Sequence, residues 1–126
     1  MERQLEASVQ YARERQQFGQ PIGKFQAVAN RIVDMKVRLE TARLLLYKVA
    51  WLKKMGKPAV MEAALAKLYL SESFVQSSLD AVRTFGSYGY MTEFEVERDL
   101  RDAVGGTLYS GTSDIQRNII ARLLGL

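Results

Sequence analysis

The residues best suited to chemistry lie at positions 109–117, in the run Tyr-Ser-Gly-Thr-Ser-Asp-Ile-Gln-Arg. Gly111 permits a strained backbone, and Thr112 and Ser113 are residue types that cap the N-terminus of a helix. We therefore expect a tight loop and then a helix, with Asp114 complementing the positive end of that helix. The first amides of such a helix suit an anion, a phosphate or a polarised carbonyl, although an ordinary N-cap explains the same residues.

Helical periodicity predicts the elements that must position this loop. Long helices are expected over residues 5–17, 25–55 and 59–85, and a shorter one over 93–102. The last helix should bury one apolar stripe, which consists of Ile115, Ile119, Ile120, Leu123 and Leu124. The second helix has an apolar seam of Ile32, Met35, Leu39, Ala42, Leu46 and Val49. Such a seam needs a partner helix.

Glycine and proline separate these helices, and the connections between them are short. The breaks fall at Gly19 to Pro21, at Gly56 to Pro58 and at Gly105 with Gly106. Short connections force neighbouring helices to be antiparallel. The sequence thus predicts an all-α, up-down antiparallel helical bundle of the four-helix type, with one domain over residues 1–126. Only residues 107–109 could be briefly extended.

Two charge pairs on the second helix have the spacing of solvent-side ion pairs. They are Asp34 with Arg38 at i,i+4 and Glu40 with Arg43 at i,i+3. Pairs of this kind contribute only a few tenths of a kcal/mol each.

Composition excludes several classes of function. The chain has no cysteine and no histidine, which removes thiol chemistry, the usual general base and the commonest metal ligand. The net charge of +4 is modest, and we expect no nucleic acid partner. No apolar run is long enough to cross a membrane and the N-terminus has no apolar signal core, so the expected location is the cytoplasm.

Motifs at four separated points resemble the acyl-CoA dehydrogenase family, flavoenzymes that oxidise acyl-CoA to 2,3-enoyl-CoA. In order, they are Tyr-Ala-Arg-Glu-Arg-Gln-Gln-Phe-Gly-Gln-Pro-Ile at 11–22 with Gln26, the segment 81–90, Arg98 with Asp99, and Tyr-x-Gly-Thr-Ser-x-Ile-Gln-Arg at 109–117. The match covers nearly all of the chain. The resemblance implies the C-terminal domain of a longer FAD protein of fatty acid metabolism, because the family's N-terminal helical domain and β-domain have no counterpart here.

The resemblance also implies roles for individual residues. It places Arg15, Phe18, Gln26, Arg83, Thr84, Gly86 and Ser87 against the FAD of a neighbouring subunit, and Thr112, Ser113 and Asp114 against the FAD on their own side. Tyr109 and Gly111 would border the substrate. The types are suitable, since Arg15 can pair with a pyrophosphate and Phe18 offers a flat surface to a ring. Arg83 departs from the Gln of many members, and Ser87 from their second Gly.

The largest departure is Ser110, which stands where many members have the Glu that removes the substrate α-proton. A hydroxyl is a poor base without a partner to take its proton, and the chain has no histidine. Three explanations remain open. The base lies upstream, as in a subset of the family; or the chain belongs to a non-catalytic subunit of a mixed oligomer; or the chemistry is altered.

The resemblance implies an acyl-CoA substrate, an electron-transfer flavoprotein or similar acceptor, and a homo-oligomer, either a dimer or a tetramer. A reading from another class is a helical assembly module without chemistry. The polar set Arg15, Gln26, Thr112 and Asp114 speaks against that reading, because a bundle that only assembles does not need it.

Overall fold

Five α-helices make up most of the chain in the computed structural model, which describes residues 1–126. They are α1 (Glu2–Glu14), α2 (Gln26–Lys54), α3 (Val60–Phe85), α4 (Val96–Gly106) and α5 (Ser113–Leu123). Short 3-10 turns occupy Ile22–Lys24, Gly86–Tyr90 and Thr92–Phe94. The prediction of an all-α bundle is confirmed.

Helix α3 is the centre of the bundle, since it contacts each of the other four helices. Small residues on α3 allow this close packing, and those that are buried include Ala64, Ala66, Ser71, Ser77, Ser78 and Ala81. The core cluster consists of Leu5, Met35, Leu39, Ala81, Phe85 and Val96. Helices α1, α2 and α3 are joined by short connections and alternate in direction, so the chain passes repeatedly between the same two ends of the bundle.

The region after α1 differs from the prediction. Helix α1 ends at Glu14, and the chain then forms a two-stranded hairpin, with β1 (Gln16–Gln17) antiparallel to β2 (Gln20–Pro21). The two loop residues, Phe18 and Gly19, have φ of 52° and 78°. Positive φ at both loop residues is the geometry of a type I′ turn, which follows the twist of the paired strands. The turn therefore stops the helix three residues short of the predicted end at residue 17.

The region before the 109–117 segment also differs. Helix α4 covers Val96–Gly106 instead of residues 93–102, so Gly105 and Gly106 are the end of a helix and not a break. Its start is delayed because Glu95 takes a left-handed conformation with φ of 57°. Thr107 is in the helical region, with φ −83° and ψ −12°, and the extended conformation suggested for residues 107–109 is not found.

The apolar stripe predicted to be buried on α5 is largely exposed. Ile115 is 48% exposed and Leu124 is 64% exposed, and the buried residues of α5 are Ser113 and Gln116. The reason is geometric, because α5 packs mainly on α3 and a single neighbour covers only a narrow strip of a helix. Helix α2 likewise buries Met35, Leu39 and Ala42 but leaves a second apolar face open.

Of the two predicted charge pairs, one is confirmed. Glu40 and Arg43 lie 3.1 Å apart, but Asp34 forms no ion pair with Arg38. Arg38 instead donates a hydrogen bond of 2.8 Å to Asp80 of α3. Asp80 is only 8% exposed, and a buried carboxylate is stable only when charged or polar partners surround it. Arg31 and Arg83 complete that environment, at 3.9 Å and 3.6 Å.

No helix in the structure combines the length and the apolar character that crossing a bilayer would require.

Candidate functional site

One end of the bundle, called here the hairpin end, gathers the seven residues assigned by resemblance to a neighbour's FAD. Helix α1 ends there, α2 begins there and α3 ends there, because the three helices alternate in direction. The residues are Arg15, Phe18, Gln26, Arg83, Thr84, Gly86 and Ser87. The guanidinium of Arg15 lies 5.6 Å from the centre of the Tyr88 ring and forms no ion pair. Its charge is therefore free for an anion.

Phe18 is the most unusual side chain of the hairpin end. It is 91% exposed although it is a large apolar residue, and its φ of 52° is left-handed. Its one aromatic neighbour is Phe25, edge-on at 6.0 Å. A left-handed aromatic residue costs of order 1–3 kcal/mol and usually persists only where the position serves a function. The hairpin thus leaves one flat apolar ring open to solvent.

The turn after α3 adds exposed backbone, more than side chains, to the surface of the hairpin end. Gly86 has φ 62° and ψ −134°, and a Cβ added there would meet no atom within 4 Å. The glycine is required by its conformation, and the space beside it is open. Gly89 is required by packing instead, because a Cβ there would lie 2.5 Å from the carbonyl oxygen of Val82. Thr84 is buried and donates its hydroxyl to the carbonyl of Asp80 at 2.7 Å.

Aromatic stacking holds the hairpin end together. The rings of Tyr11 and Phe85 are stacked at 4.2 Å, and Phe94 meets Phe85 edge-on at 6.0 Å. Tyr88 lies 5.2 Å from Phe94 and also under Arg15. Sequence reasoning did not single out Tyr88, although its place between two glycines in the 81–90 segment was a signal.

The opposite end, called here the loop end, holds residues 109–114. Ser110 and Gly111 have φ of 55° and 88°, so two consecutive residues are left-handed. Thr112 caps α5 as predicted, since its hydroxyl oxygen accepts a hydrogen bond of 3.3 Å from the amide of Ile115. The side chain of Asp114 is 88% exposed at the first turn of α5, 3.2 Å from Arg117. Tyr109 is exposed as well.

Gln116 fixes the shape of this loop, and its role was missed from sequence. The side chain is 7% exposed, and its amide nitrogen donates to the carbonyls of Ser110 and Gly111, each at 3.4 Å. A Cβ on Gly111 would lie 2.7 Å from that nitrogen. Gly111 is therefore favoured by its positive φ, and a Cβ there would displace the Gln116 amide from its two carbonyls. The sequence signal for this role was a glutamine on the face of α5 that packs against the bundle.

The two ends lie far apart along α3. Lys67, near the start of α3, donates to the carbonyl of Gly106 at 3.0 Å, which ties the loop end to the first half of that helix. Gly86 follows the last residue of α3. At 1.5 Å per helical residue, the separation is about 30 Å. The candidate residues therefore form two groups and not one pocket.

No group of three or more acidic residues in the structure is arranged to hold a metal ion, and the chain has no histidine or cysteine to add to one.

Comparison with known proteins gives a consistent result. The family model described as "Acyl-CoA dehydrogenase, C-terminal domain" matches residues 1–125. The L-prolyl-[peptidyl-carrier protein] dehydrogenase of Pseudomonas fluorescens is 53% identical over 126 residues, which are 100% of this chain and 33% of that protein. The chain thus spans about a third of the length of this relative.

Solved structures agree with that match. The prolyl acyl carrier protein oxidase AnaB superposes with a TM-score of 0.97 at 58% identity, covering 99% of this chain and 33% of that one. The FAD complex of PigA superposes with a TM-score of 0.96 at 49% identity, with the same coverage.

Proposed function

The chain belongs to the acyl-CoA dehydrogenase family and matches its C-terminal domain, and on this premise we propose that it is the C-terminal part of an FAD-dependent dehydrogenase that oxidises thioester-bound acyl groups. The observation that carries the proposal is the pair of polar ends on one helical bundle. Each end combines a left-handed backbone with exposed groups that have little structural use within the domain.

The residues present fit FAD. Arg15 has no acidic partner, Gln26 is exposed, and the space beside Gly86 is open, so all three are accessible to a phosphate, an adenine or a ribose. Phe18 offers its exposed face to a ring. When bound, FAD supplies the acceptor for the hydride that leaves the substrate. The domain's own contribution is binding, orientation and exclusion of water.

We assign the two ends to two different flavins. The hairpin end would serve the FAD of a neighbouring subunit, and Thr112, Ser113 and Asp114 of the loop end would serve the FAD on their own side. The separation of about 30 Å along α3 supports this assignment, because two distant polar groups suit two cofactors better than one. It follows that the isolated domain should bind FAD weakly or not at all.

Self-association is part of this proposal. An exposed face of α2 carries Val33, Val37, Leu44, Tyr47 and Trp51 at steps of three, four and seven residues. These steps are those of a helix seam that packs on another helix. A homodimer or homotetramer would cover this face, and sedimentation of the complete protein should show the oligomer.

The substrate is proposed to be an acyl group on a phosphopantetheine thiol. The relative at 53% identity is described as acting on a prolyl group carried by a peptidyl-carrier protein, which favours a carrier-bound thioester over free acyl-CoA. Acyl-CoA, oxidised to 2,3-enoyl-CoA, is the second candidate substrate, because it is the substrate named in the description of the family. An electron-transfer flavoprotein or a similar acceptor would then reoxidise the flavin.

The catalytic base is proposed to lie outside this domain. Ser110 is exposed and left-handed, and no histidine exists to take its proton. The alternatives are a non-catalytic subunit and a helical assembly module without chemistry. Both predict an intact bundle with no turnover.

The test is anaerobic reduction of the bound flavin in the complete protein. Prolyl-loaded carrier protein, the prolyl thioester of free pantetheine and a series of acyl-CoA thioesters are offered in turn, and flavin absorbance is followed. Bleaching by any thioester supports the dehydrogenase, and the preferred carrier identifies the substrate class. A protein that binds FAD but is bleached by none of them is a non-catalytic subunit, and one that binds no FAD is an assembly module.

A further inference from the structure

The positive charge of the chain is concentrated in one segment. Residues 48–67 contain five lysines (Lys48, Lys53, Lys54, Lys57 and Lys67) and one acidic residue, Glu62, so five minus one gives +4. The formal net charge of the whole chain is also +4, and the remaining residues therefore sum to zero. The segment comprises the end of α2, the turn at Gly56 and the start of α3. Its lysines are called the lysine cluster below.

The lysine cluster borders the loop end of the bundle. Lys53, Lys57 and Lys67 line a cleft together with Ser110 and Gln116, and no carboxylate lines it. Lys48 pairs with Glu62 at 3.5 Å, and Lys67 donates to the carbonyl of Gly106. Lys53, Lys54 and Lys57 form no ion pair. Elsewhere on the surface, ion pairs between basic and acidic side chains are common. Three exposed cations are thus left beside the loop.

The interaction of lysines with the helix dipole explains only part of this charge. Lys53 and Lys54 lie in the last turn of α2, where a cation complements the negative end of the helix. Lys57 lies beyond the helix, with its ammonium 5.1 Å from the centre of the Trp51 ring. Crowding of like charges without compensation creates a local positive potential that attracts an acidic partner.

We propose that the lysine cluster docks an acidic surface of the carrier protein that delivers the thioester substrate. The inference rests on the proposed function and adds the place where the partner binds. A protein that presents carboxylates would be steered to this strongly positive segment, next to the loop assigned to the substrate. A free thioester of pantetheine has no such surface and gains nothing from the lysines.

The experiment uses the complete protein with two substrates, a prolyl-loaded peptidyl-carrier protein and the prolyl thioester of free pantetheine. The test variant combines Lys53→Glu, Lys54→Glu and Lys57→Glu. The single variant Lys57→Glu is matched by Lys24→Glu, an exposed lysine without an ion pair near the hairpin end. Kinetics are measured at low and high salt, and binding of the carrier protein is measured by calorimetry.

The triple variant should raise KM for the carrier-bound substrate by about tenfold or more, because steering by clustered charge changes association by factors of 10–10³. The kcat for either substrate and the KM for the pantetheine thioester should stay within about twofold. The salt dependence of kcat/KM should become weaker in the variant. Lys24→Glu should leave all of these values unchanged.

Several results would overturn the docking site. If the triple variant leaves the KM for carrier-bound substrate unchanged, the lysines are not a docking site. If kcat/KM falls equally with both substrates, the lysines belong to a general substrate site. A changed oligomer mass makes the cluster a subunit interface, and a changed KM for the electron acceptor alone makes it a redox partner's site. If the wild type oxidises neither prolyl thioester nor any acyl-CoA of the series above, the proposed function fails. The calorimetry needs no turnover and still decides the docking, since a carrier protein that does not bind overturns it.

Discussion

The hairpin end and the loop end are built by different physical means. The stacked rings of Tyr11 and Phe85, with Phe94 edge-on to Phe85, support the hairpin end, and this packing leaves Arg15 and Phe18 exposed. The loop end has no such stack, and hydrogen bonds hold its left-handed residues: the buried amide of Gln116 donates to two loop carbonyls, and the N–H of Ser113 donates to the carbonyl of Thr107. Packing tolerates small losses, whereas a hydrogen-bonded loop depends on single donors. The two ends should therefore respond differently to substitution.

The largest effect should come from Ser110→Glu in the complete protein. General-base catalysis is worth about 10²–10⁴-fold, so thioester-dependent flavin reduction should rise by that order if no other base exists. Where an upstream carboxylate already acts, the variant should change little or lose activity, because two like charges raise each other's pKa. Stopped-flow flavin bleaching measures both cases.

Ser110→Gln is the control, since it has the same shape as Glu but cannot act as a base. The decisive case is a wild type that lacks an upstream Glu and is inactive. If the Ser110→Glu variant of that protein is equally inactive, residue 110 does not face the substrate.

Asp80→Ala tests what both ends share, the α2–α3 contact. It leaves Arg31 and Arg38 partly buried without their carboxylate, and the free energy of unfolding should fall by about 2–3 kcal/mol. Chemical denaturation measures the change. Asp34→Ala, at an exposed aspartate of α2 that forms no ion pair, should change the free energy of unfolding by no more than about 0.5 kcal/mol. Equal effects of the two variants would mean that the arginines find other partners.

Arg15→Ala tests the hairpin end alone. A charge-assisted hydrogen bond contributes roughly 1.5–3 kcal/mol, so FAD should bind about 10- to 100-fold more weakly in the complete protein. The unfolding free energy should hardly change, because Arg15 is exposed. Flavin content after dialysis is the measurement, and Arg13→Ala is the control. If flavin content is the same in both, Arg15 is only a surface charge.

Gln116→Leu should have the smallest effect on stability, about 1 kcal/mol, because its two hydrogen bonds are long. Its effect should be local. Amide exchange should increase at residues 110–112 and stay constant in the hairpin and the turn after α3. Asn118→Leu, at an exposed position of the same helix, provides the control. Exchange that rises at both ends would contradict the independence of the two regions.

Much of the candidate site was predictable because its signals are local. The cap at Thr112, the left-handed Gly111 and the helical periods depend on neighbouring residues, so the sequence alone determines the loop and the helix after it. The resemblance to the family rests on the same short motifs, and the family match confirms it.

What depends on distant residues was not predictable. Arg38 prefers Asp80, 42 residues away, to Asp34 one turn away, because only Asp80 is buried. The stripe on α5 has a helical period, but periodicity shows that a face is apolar and not what covers it.

The sequence by itself determined the helices, the loop at Ser110 and the family of this protein. Only the tertiary structure decided that the candidate residues divide into two ends about 30 Å apart, that Gln116 holds the loop, and that the uncompensated lysines lie beside it. The reason is that helix periods and caps arise from contacts between near neighbours along the chain. The grouping of residues into sites arises from the packing of α3 against four other helices.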